Sequence, residues 1–304
     1  MKIFLQALGY GVLTLGLVIS LSLGYSAYIA SIGEKSDVLK NIKYKEINGE
    51  KIAYREAGEE NSEILVLVHG FLGSSYDFSK IIPLLAEHYH VIAPDLIGFG
   101  FSTKNEKLDY SKKTQSEFLY LTLREFGIEK FNILGHSMGG EVALHLVLNH
   151  SESVKKLILV DSGGYIKNER SISSNRFVGS LYLRLGFQNY FLQRSVFKLA
   201  FYKQNAMDIK DFKPAYSLVY NIPSKTLYKF NKDDDSGSIS EEIKTVKAPT
   251  LIIWGDKDEL IDVDYAIRFN KELINSNLVI IEDSGHIPYI EKPEETLEAI
   301  FRFL

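Results

Sequence analysis

The sequence contains no cysteine, which excludes disulfide bonds, thiolate ligands for zinc and a cysteine nucleophile. It also has no overall excess of basic residues, since the net charge is -4. A nucleic-acid partner is therefore not expected. Internal repeats and low-complexity tracts are missing as well. The 304 residues, 45% of them hydrophobic, are ordinary for a folded globular chain with a large core.

Charged residues are missing from one long N-terminal segment. Between Lys2 and Glu34 the chain reads IFLQALGYGVLTLGLVISLSLGYSAYIASIG, which is longer than the ~20 residues that a helix needs to cross a bilayer. We therefore predict a single-pass membrane anchor over residues 1–33, inserted through residues 3–32. A polar linker over residues 34–44 follows it.

A signal peptide cleaved after Ser26 is the alternative, and it would give a secreted or periplasmic protein. The side of the membrane that carries the following domain stays open. Five lysines between residues 35 and 51 favour the cytoplasm, but large domains are translocated regardless of charge. Gly16, Ser20 and Gly24 recur every four residues, a spacing that lets two helices pair. The oligomeric state is not determined by this pattern.

The rest of the chain alternates short apolar runs with amphipathic segments. Strands are predicted at 51–58, 63–70, 90–96, 131–137, 155–162, 250–256 and 277–283, and helices at 75–88, 109–127, 139–150, 263–274 and 293–304. This alternation predicts an α/β fold with a mostly parallel, doubly wound sheet covered on both faces. The core is expected to span residues 45–162 and 246–304.

Residues 163–245 interrupt this alternation because they contain no apolar strand run. We predict a helical cap here, inserted above the edge of the sheet where ligands bind. Between Gly163 and Phe230 there are 14 Phe and Tyr, and 11 Lys and Arg against 3 Asp and Glu. Most of the aromatic residues are expected to pack inside the cap, and some to face Ser137 and form an apolar acyl pocket; they include Phe177, Tyr182, Phe187, Phe191, Phe197 and Phe201. The basic residues form either a solvated face or a contact with anionic lipid.

Two short motifs match ligand-binding loops only in part. The segment NKDDDSGSISEE places Asn231, Asp233, Asp235 and Glu242 at calcium-loop spacing, but Ser236 stands where such a loop needs glycine. The segment GFGFS at 98–102 lacks the third glycine of a dinucleotide-binding loop. We therefore expect neither a metal nor a cofactor.

The motif GHSMGG at 135–140 contains a candidate nucleophile. Ser137 lies between a predicted strand and a predicted helix, which is the setting of a nucleophile elbow. His136 is too close in the chain to turn back on its neighbour's hydroxyl. His286 follows the strand NLVIIED, so it reaches the same edge of the sheet as Ser137 and is the candidate general base.

The acid of a triad should follow another strand between the serine and the histidine. Asp258 in TLIIWGDKDELID fits this position, whereas Asp256 follows the turn glycine directly and is expected to bond locally. An oxyanion would be bound by backbone N–H groups, for which the candidates are Met138 and Phe71. His69 is then expected to brace the loop that carries Phe71.

The segments HGFLGSSYDF, PDLIGFGFS, GHSMGG, LIIWGDKD and SGHIPYIEKPEE, in this order, resemble the α/β-hydrolase superfamily over about residues 45–304. The branch they resemble is that of serine lipases and esterases with a helical cap, including bacterial lipases and membrane-anchored monoacylglycerol lipases. The resemblance implies Ser137, Asp258 and His286 as catalytic residues, and Phe71 and Met138 as the oxyanion hole. It implies no cofactor and no metal.

The function implied by this resemblance is hydrolysis of a carboxylic ester, with an acyl ester or a lipid as substrate. Haloalkane dehalogenases and epoxide hydrolases carry aspartate at the elbow, so Ser137 argues against them. Three alternatives stay open: a carbon–carbon bond hydrolase of ring-cleavage products, a thioesterase or acyltransferase, and a non-catalytic binding protein on the same scaffold.

Overall fold

The computed structural model describes residues 2–167, 175–205 and 207–304. For residues 2–13, 15 and 38 it describes the backbone alone. Within the predicted cap, 168–174 and 206 therefore lie outside the described residues. The strands are β1 (Lys43–Ile47), β2 (Glu50–Ala57), β3 (Ile64–Val68), β4 (His90–Pro94), β5 (Phe131–His136), β6 (Val154–Val160), β7 (Thr250–Gly255) and β8 (Ser276–Ile281). The helices are α1 (Lys2–Glu34), α2 (Ile82–Leu85), α3 (Lys112–Glu125), α4 (Met138–Asn149), α5 (Arg176–Phe187), α6 (Tyr190–Lys198), α7 (Ile209–Tyr220), α8 (Ser224–Lys232), α9 (Asp264–Glu272), α10 (Pro288–Glu291) and α11 (Pro293–Phe303).

The strands form one sheet in the order β1-β2-β4-β3-β5-β6-β7-β8. All neighbours from β4 to β8 pair in parallel, whereas β2 pairs antiparallel with both β1 and β4. The predicted mostly parallel sheet is therefore confirmed. Strand β1 was not among the predicted strands, because its exposed, lysine-rich sequence has the composition of a polar linker.

The central strands are buried on both faces. In β3, Leu65 and Leu67 belong to one apolar cluster, and Val66 and Val68 belong to the other. Helices α3, α4 and α9 contribute to the cluster with the valines, and α2 and α11 to the cluster with the leucines. This two-sided burial explains the continuous apolar runs, which are typical of parallel strands.

The prediction of one continuous helix over residues 75–88 is wrong. The structure has a 3₁₀ helix at Ser75–Phe78 and the short α2 instead. Ser74 and Asp77 form a capping box that starts a tight turn. Pro83, in the first turn of α2, lacks the amide that would extend a helix from the preceding residues.

Four helices, α5 to α8, lie between β6 and β7, in the region predicted as a helical cap. Three of them begin at short polar side chains that accept hydrogen bonds from backbone amides: Asn175 for α5, Asn189 for α6 and Asp208 for α7. These N-terminal capping residues explain where the separate helices of this region begin.

Helix α1 packs against α6 and α7 through its C-terminal part. The Ser26 hydroxyl accepts a hydrogen bond from Tyr190 N at 3.0 Å, and Asn189 Nδ2 donates to Ser22 Oγ at 2.8 Å. Ile29 and Ala30 are buried in the same apolar cluster as α7. The part of α1 from Gly16 to Glu34 is long and apolar enough to cross a membrane, as a signal sequence would also be.

We expect Ile29→Ala to lower the free energy of unfolding by about 2 to 4 kcal/mol, because it leaves a cavity in a packed core. The matched control is Ile32→Ala, one turn further on, where the side chain is 37% exposed against 4% for Ile29. The control should cost less than about 0.5 kcal/mol. Thermal unfolding of the full chain in detergent measures both, and equal losses would contradict the packing of α1 on the cap.

Candidate active site

The turn after β5 holds Ser137 in a strained conformation, with φ of 54° and ψ of -123°. Such a backbone conformation is unfavourable for a residue with a Cβ and persists only where the surroundings enforce it. Here Ser137 N donates to Val160 O at 3.0 Å, and Gly163 N donates to Ser137 O at 2.8 Å. The main chain of the serine is therefore fixed from the neighbouring strand β6.

Glycines around Ser137 are required by space. A Cβ on Gly135 would lie closer than 3.0 Å to the Gly139 backbone, and a Cβ on Gly139 would lie equally close to the Val68 carbonyl. The start of α4 thus packs directly against the end of β3. The motif G-x-S-x-G follows from this close backbone approach.

Two backbone amides beside Ser137 have no partner among the described residues. Neither Phe71 N nor Met138 N donates a hydrogen bond there. The loop that holds Phe71 follows β3, which pairs with β5, and an added Cβ on Gly70 would lie 3.0 Å from Ser137 Cβ. Unpaired amides converging on one point can bind a negative oxygen.

His69 ties this loop to the end of β4. Its Nδ1 donates to Gly70 O at 2.8 Å, and its Nε2 accepts from Leu96 N at 2.9 Å. Burial lowers the pKa of His69, which favours the neutral ring that this pair of bonds requires. The ring therefore acts as a brace, with both nitrogens occupied.

His286 and Asp258 form a buried pair at the same edge of the sheet. His286 Nδ1 donates to Asp258 Oδ2 at 2.7 Å. The other oxygen of Asp258 accepts from Leu260 N at 2.8 Å and Ile261 N at 3.0 Å. Both oxygens of Asp258 are thus hydrogen-bonded, and the bond from Nδ1–H fixes the tautomer in which Nε2 carries the lone pair.

The residues predicted from the sequence therefore lie at one edge of the sheet, but Ser137 and His286 remain apart. The His286 ring lies 4.9 Å from the ring of His136, the residue next to Ser137. Within the described residues, Ser137 Oγ makes no hydrogen bond to His286 Nε2. In unliganded hydrolytic sites this bond is commonly long and shortens when substrate binds.

His136 has both ring nitrogens occupied. Nε2 donates to His286 O at 2.8 Å, and Nδ1 accepts from Tyr289 OH at 3.2 Å. Burial lowers the pKa of His136 well below its usual range. The ring is therefore neutral and supports the His286 loop.

The cap contacts the same loop. His286 N donates to Ala200 O at 2.8 Å, just beyond the end of α6. Glu291 accepts from Gly285 N at 2.6 Å and from Tyr202 N at 3.0 Å. Burial raises the pKa of Glu291, and these amide donors offset that effect. The base is consequently positioned by the cap as well as by the sheet.

Asp161 is a site residue to which sequence reasoning gave no role. It follows β6 with a positive φ of 43°, and Oδ1 accepts from Gly255 N at 3.0 Å. Its buried Oδ2 has no hydrogen-bond partner within the described residues. Burial, followed by the charge of Asp258, raises the pKa of Asp161 well above its usual range. A carboxyl at the end of a buried strand, the signal that identified Asp258, would also have identified Asp161.

Asp161, Asp258 and His286 are also the described residues closest to a metal-binding arrangement, with one ligand atom of each within 4.8 Å of the others. However, His286 Nδ1 already donates its proton to Asp258. A cation would need the lone pair that this protonated nitrogen does not have. The geometry is that of a hydrogen-bonded acid and base.

Aromatic side chains line the region beside the unpaired amides. The Phe71 ring lies 5.1 Å from Phe230, 5.8 Å from Phe187 and 5.9 Å from Phe99. Phe187 ends α5 and Phe230 belongs to α8, so the cap supplies half of this cluster. The four rings form an apolar cluster around the Phe71 side chain, which remains 41% exposed.

A family model described as alpha/beta hydrolase fold matches residues 63–176 and 166–293 of the chain. Lipase 1 of Psychrobacter immobilis is 30% identical over 269 residues, which cover 83% of this chain and 80% of that lipase. A 2-hydroxy-6-oxo-6-(2'-aminophenyl)hexa-2,4-dienoic acid hydrolase of Metapseudomonas resinovorans is 28% identical over 282 residues, 90% of this chain and 94% of that enzyme.

Among solved structures, a membrane phospholipase A described as a bacterial virulence factor superimposes with a TM-score of 0.74. The sequence identity is 25%, and the match covers 100% of this chain and 98% of that one. The similarity therefore includes α1 as well as the sheet and the cap.

We expect Asp161→Asn to stabilise the protein more at pH 8 than at pH 4. Because the pKa of Asp161 is raised on folding, the folded chain keeps a proton that the unfolded chain releases above about pH 4. Wild-type stability therefore falls as the pH rises through this window, by about 1.4 kcal/mol for each unit of raised pKa. Asparagine removes this dependence.

Thermal unfolding at several pH values measures the effect, with about 2 °C expected per kcal/mol. The exposed carboxylate Asp264 provides the control variant Asp264→Asn, which should follow the wild-type profile. Parallel profiles for Asp161→Asn and wild type would show that Asp161 is ionised in the folded protein.

Proposed function

Since the chain belongs to the α/β-hydrolase family, we propose that it is a membrane-anchored serine hydrolase that cleaves carboxylic esters of apolar acyl chains. The observation that carries the proposal is the hydrogen-bonded His286 and Asp258 pair, at the sheet edge where Ser137 lies beside two unpaired amides. Such a group of residues fits nucleophilic catalysis of acyl transfer.

In the first half of the proposed reaction, Ser137 Oγ attacks the ester carbonyl carbon while His286 Nε2 takes the hydroxyl proton. Asp258 stabilises the imidazolium that forms. The carbonyl oxygen becomes an oxyanion and accepts hydrogen bonds from the amides of Phe71 and Met138. Since those amides have no other partner, they need no rearrangement before they bind the developing charge.

In the second half, His286 returns the proton to the leaving alcohol and an acyl-enzyme remains on Ser137. Water then enters the space that the alcohol left, and His286 takes one of its protons as the oxygen attacks the acyl carbon. Collapse of this second intermediate releases the carboxylic acid and restores the Ser137 hydroxyl. No cofactor is required at any step.

An acyl chain of medium to long length is the proposed substrate group, with monoacylglycerols or similar lipid esters as the class. The aromatic cluster around Phe71 supports this proposal because it is apolar and lies next to the unpaired amides. The similarity to Lipase 1 and to a membrane phospholipase A supports it too. Helix α1 would keep the enzyme at the bilayer, where such esters are found.

Hydrolysis of a carbon–carbon bond in a ring-cleavage product is the second candidate. It is favoured by the similarity to the dienoic acid hydrolase of Metapseudomonas resinovorans, which extends over 90% of this chain. Such a substrate carries a carboxylate and is water-soluble. A hydrolase for it has no use for an apolar anchor, so we rank ester hydrolysis first.

The purified full chain is expected to hydrolyse 4-nitrophenyl and glycerol esters of medium to long acyl chains faster than acetate esters. A ring-cleavage product serves as the competing substrate, and preferential turnover of it would reverse the ranking. A fluorophosphonate probe should label the wild type but not Ser137→Ala. Persistent labelling of the variant would mean that another serine is the nucleophile, and no labelling of wild type would favour a binding protein.

We expect Asp258→Asn to lower kcat by about 10³- to 10⁴-fold with little change in KM, because the tautomer of His286 is no longer fixed. Glu259→Gln is the matched control in the same loop. Glu259 is exposed, so the loss of its charge should change kcat by less than about two-fold. Ester hydrolysis kinetics measure both variants, and similar losses would remove Asp258 from the proposed triad.

A further inference from the structure

Helices α5 and α6 of the cap each expose an apolar face. The exposed large apolar residues of each helix are spaced one, three or four residues apart, which places them on one side of the helix. They are Phe177, Val178, Leu181, Tyr182 and Leu185 in α5, and Phe191, Leu192 and Val196 in α6 with Leu199 directly after it.

The prediction that the cap aromatics mostly pack inside is wrong for three of them. Phe177 is 78% exposed, and Tyr182 and Phe191 are exposed as well, whereas Phe201 is buried. The opposite sides of the two helices are buried through Gly179 and Leu183 in α5 and Tyr190 and Gln193 in α6. The cap is thus turned with much of its apolar surface outward, which marks an interaction surface.

The position of α1 indicates what covers this surface. Residues 2–21 of α1 would extend about 30 Å, the thickness of a bilayer core. Directly after this stretch, Ser22 Oγ accepts a hydrogen bond from Asn189 Nδ2 of the cap. Tyr25 then stacks on Phe191, with ring centroids 5.3 Å apart. The exposed face of α6 therefore begins at the level where the spanning stretch would leave the membrane.

The charge of the same segment fits a lipid surface. Residues 175–202 contain no Asp or Glu but four basic residues. Arg176 pairs with Glu106, whereas Arg184, Arg194 and Lys198 have no acidic partner in the described part of the chain. Arg184 and Lys198 flank the apolar faces, whereas Arg194 lies on the side of α6 that faces the protein, where its Nε is buried. Basic residues beside an apolar helix face are typical of helices that lie in the interface of a bilayer with anionic lipids.

We propose that the exposed faces of α5 and α6 lie in the headgroup and upper acyl region of the bilayer that α1 crosses. Helix α5 reaches from this surface to Phe187, which contacts Phe71 beside the site. The inference rests on the anchoring part of the proposed function and not on the ester chemistry.

Tryptophan quenching tests this placement in the full chain. Tyr182→Trp and Leu192→Trp are reconstituted separately into vesicles of phosphatidylcholine and phosphatidylglycerol with brominated acyl chains, on a Ser137→Ala background so that lipid is not consumed. We expect the added emission to fall at least about two-fold compared with unbrominated vesicles. The single native tryptophan, Trp254, is buried in β7 and gives a constant background.

The matched control is Ile274→Trp. Ile274 is 84% exposed but precedes β8, so it lies at the sheet edge opposite the cap. Bromolipid should leave its emission unchanged. Equal emission losses at all three positions, or none at any, would overturn the proposal.

A second copy of the chain could cover the same face instead of lipid. Because the chain lacks cysteine, Leu192→Cys provides a unique thiol. Efficient disulfide formation between two copies in vesicles, together with unquenched tryptophans, would overturn the proposal in favour of a dimer. Both readouts are independent of turnover, so an enzyme with no ester activity could still bind lipid in this way.

Discussion

The close approach of backbones around Ser137 is the constraint on which the site depends. The turn fits only because Gly135 and Gly139 let the start of α4 lie against β5 and against the end of β3. Hydrogen bonds from β6 and from Gly163 then fix the serine backbone in its strained conformation. The same contacts bring Ser137 close to the loop that carries Phe71, since an added Cβ on Gly70 would lie 3.0 Å from Ser137 Cβ.

Burial around this turn disfavours charge on three side chains. It lowers the pKa of His69 and His136 and raises the pKa of Asp161. Asp258 is buried as well, but two backbone amides and His286 Nδ1 all donate hydrogen bonds to it. Both oxygens of the carboxyl that orients His286 are therefore hydrogen-bonded, whereas Asp161 Oδ2 has no partner among the described residues.

The sequence predicted the parallel strands and the gathering of Ser137, Asp258 and His286 because parallel strands bring their carboxyl ends to one edge. It did not predict β1, whose lysines match a linker, or the break in the helix at 75–88, where the side chain of Ser74 competes with helical bonding. Asp161 was overlooked although it directly follows a buried strand, the kind of position that also led to Asp258. The exposure of Phe177, Tyr182 and Phe191 was not predicted, because apolar periodicity does not distinguish a helix face that packs in the core from one that is exposed.

The hydrogen bond from His286 N to Ala200 O has a consequence for how the cap can vary between related proteins. Caps are inserted segments and are free to diverge in sequence, whereas the loop of the base belongs to the core. Here the two share a main-chain bond and the Glu291 bridge to Tyr202 and Gly285. A cap exchanged for another would therefore have to present the same backbone carbonyl and amide at positions 200 and 202, or the loop of His286 would lose these hydrogen bonds.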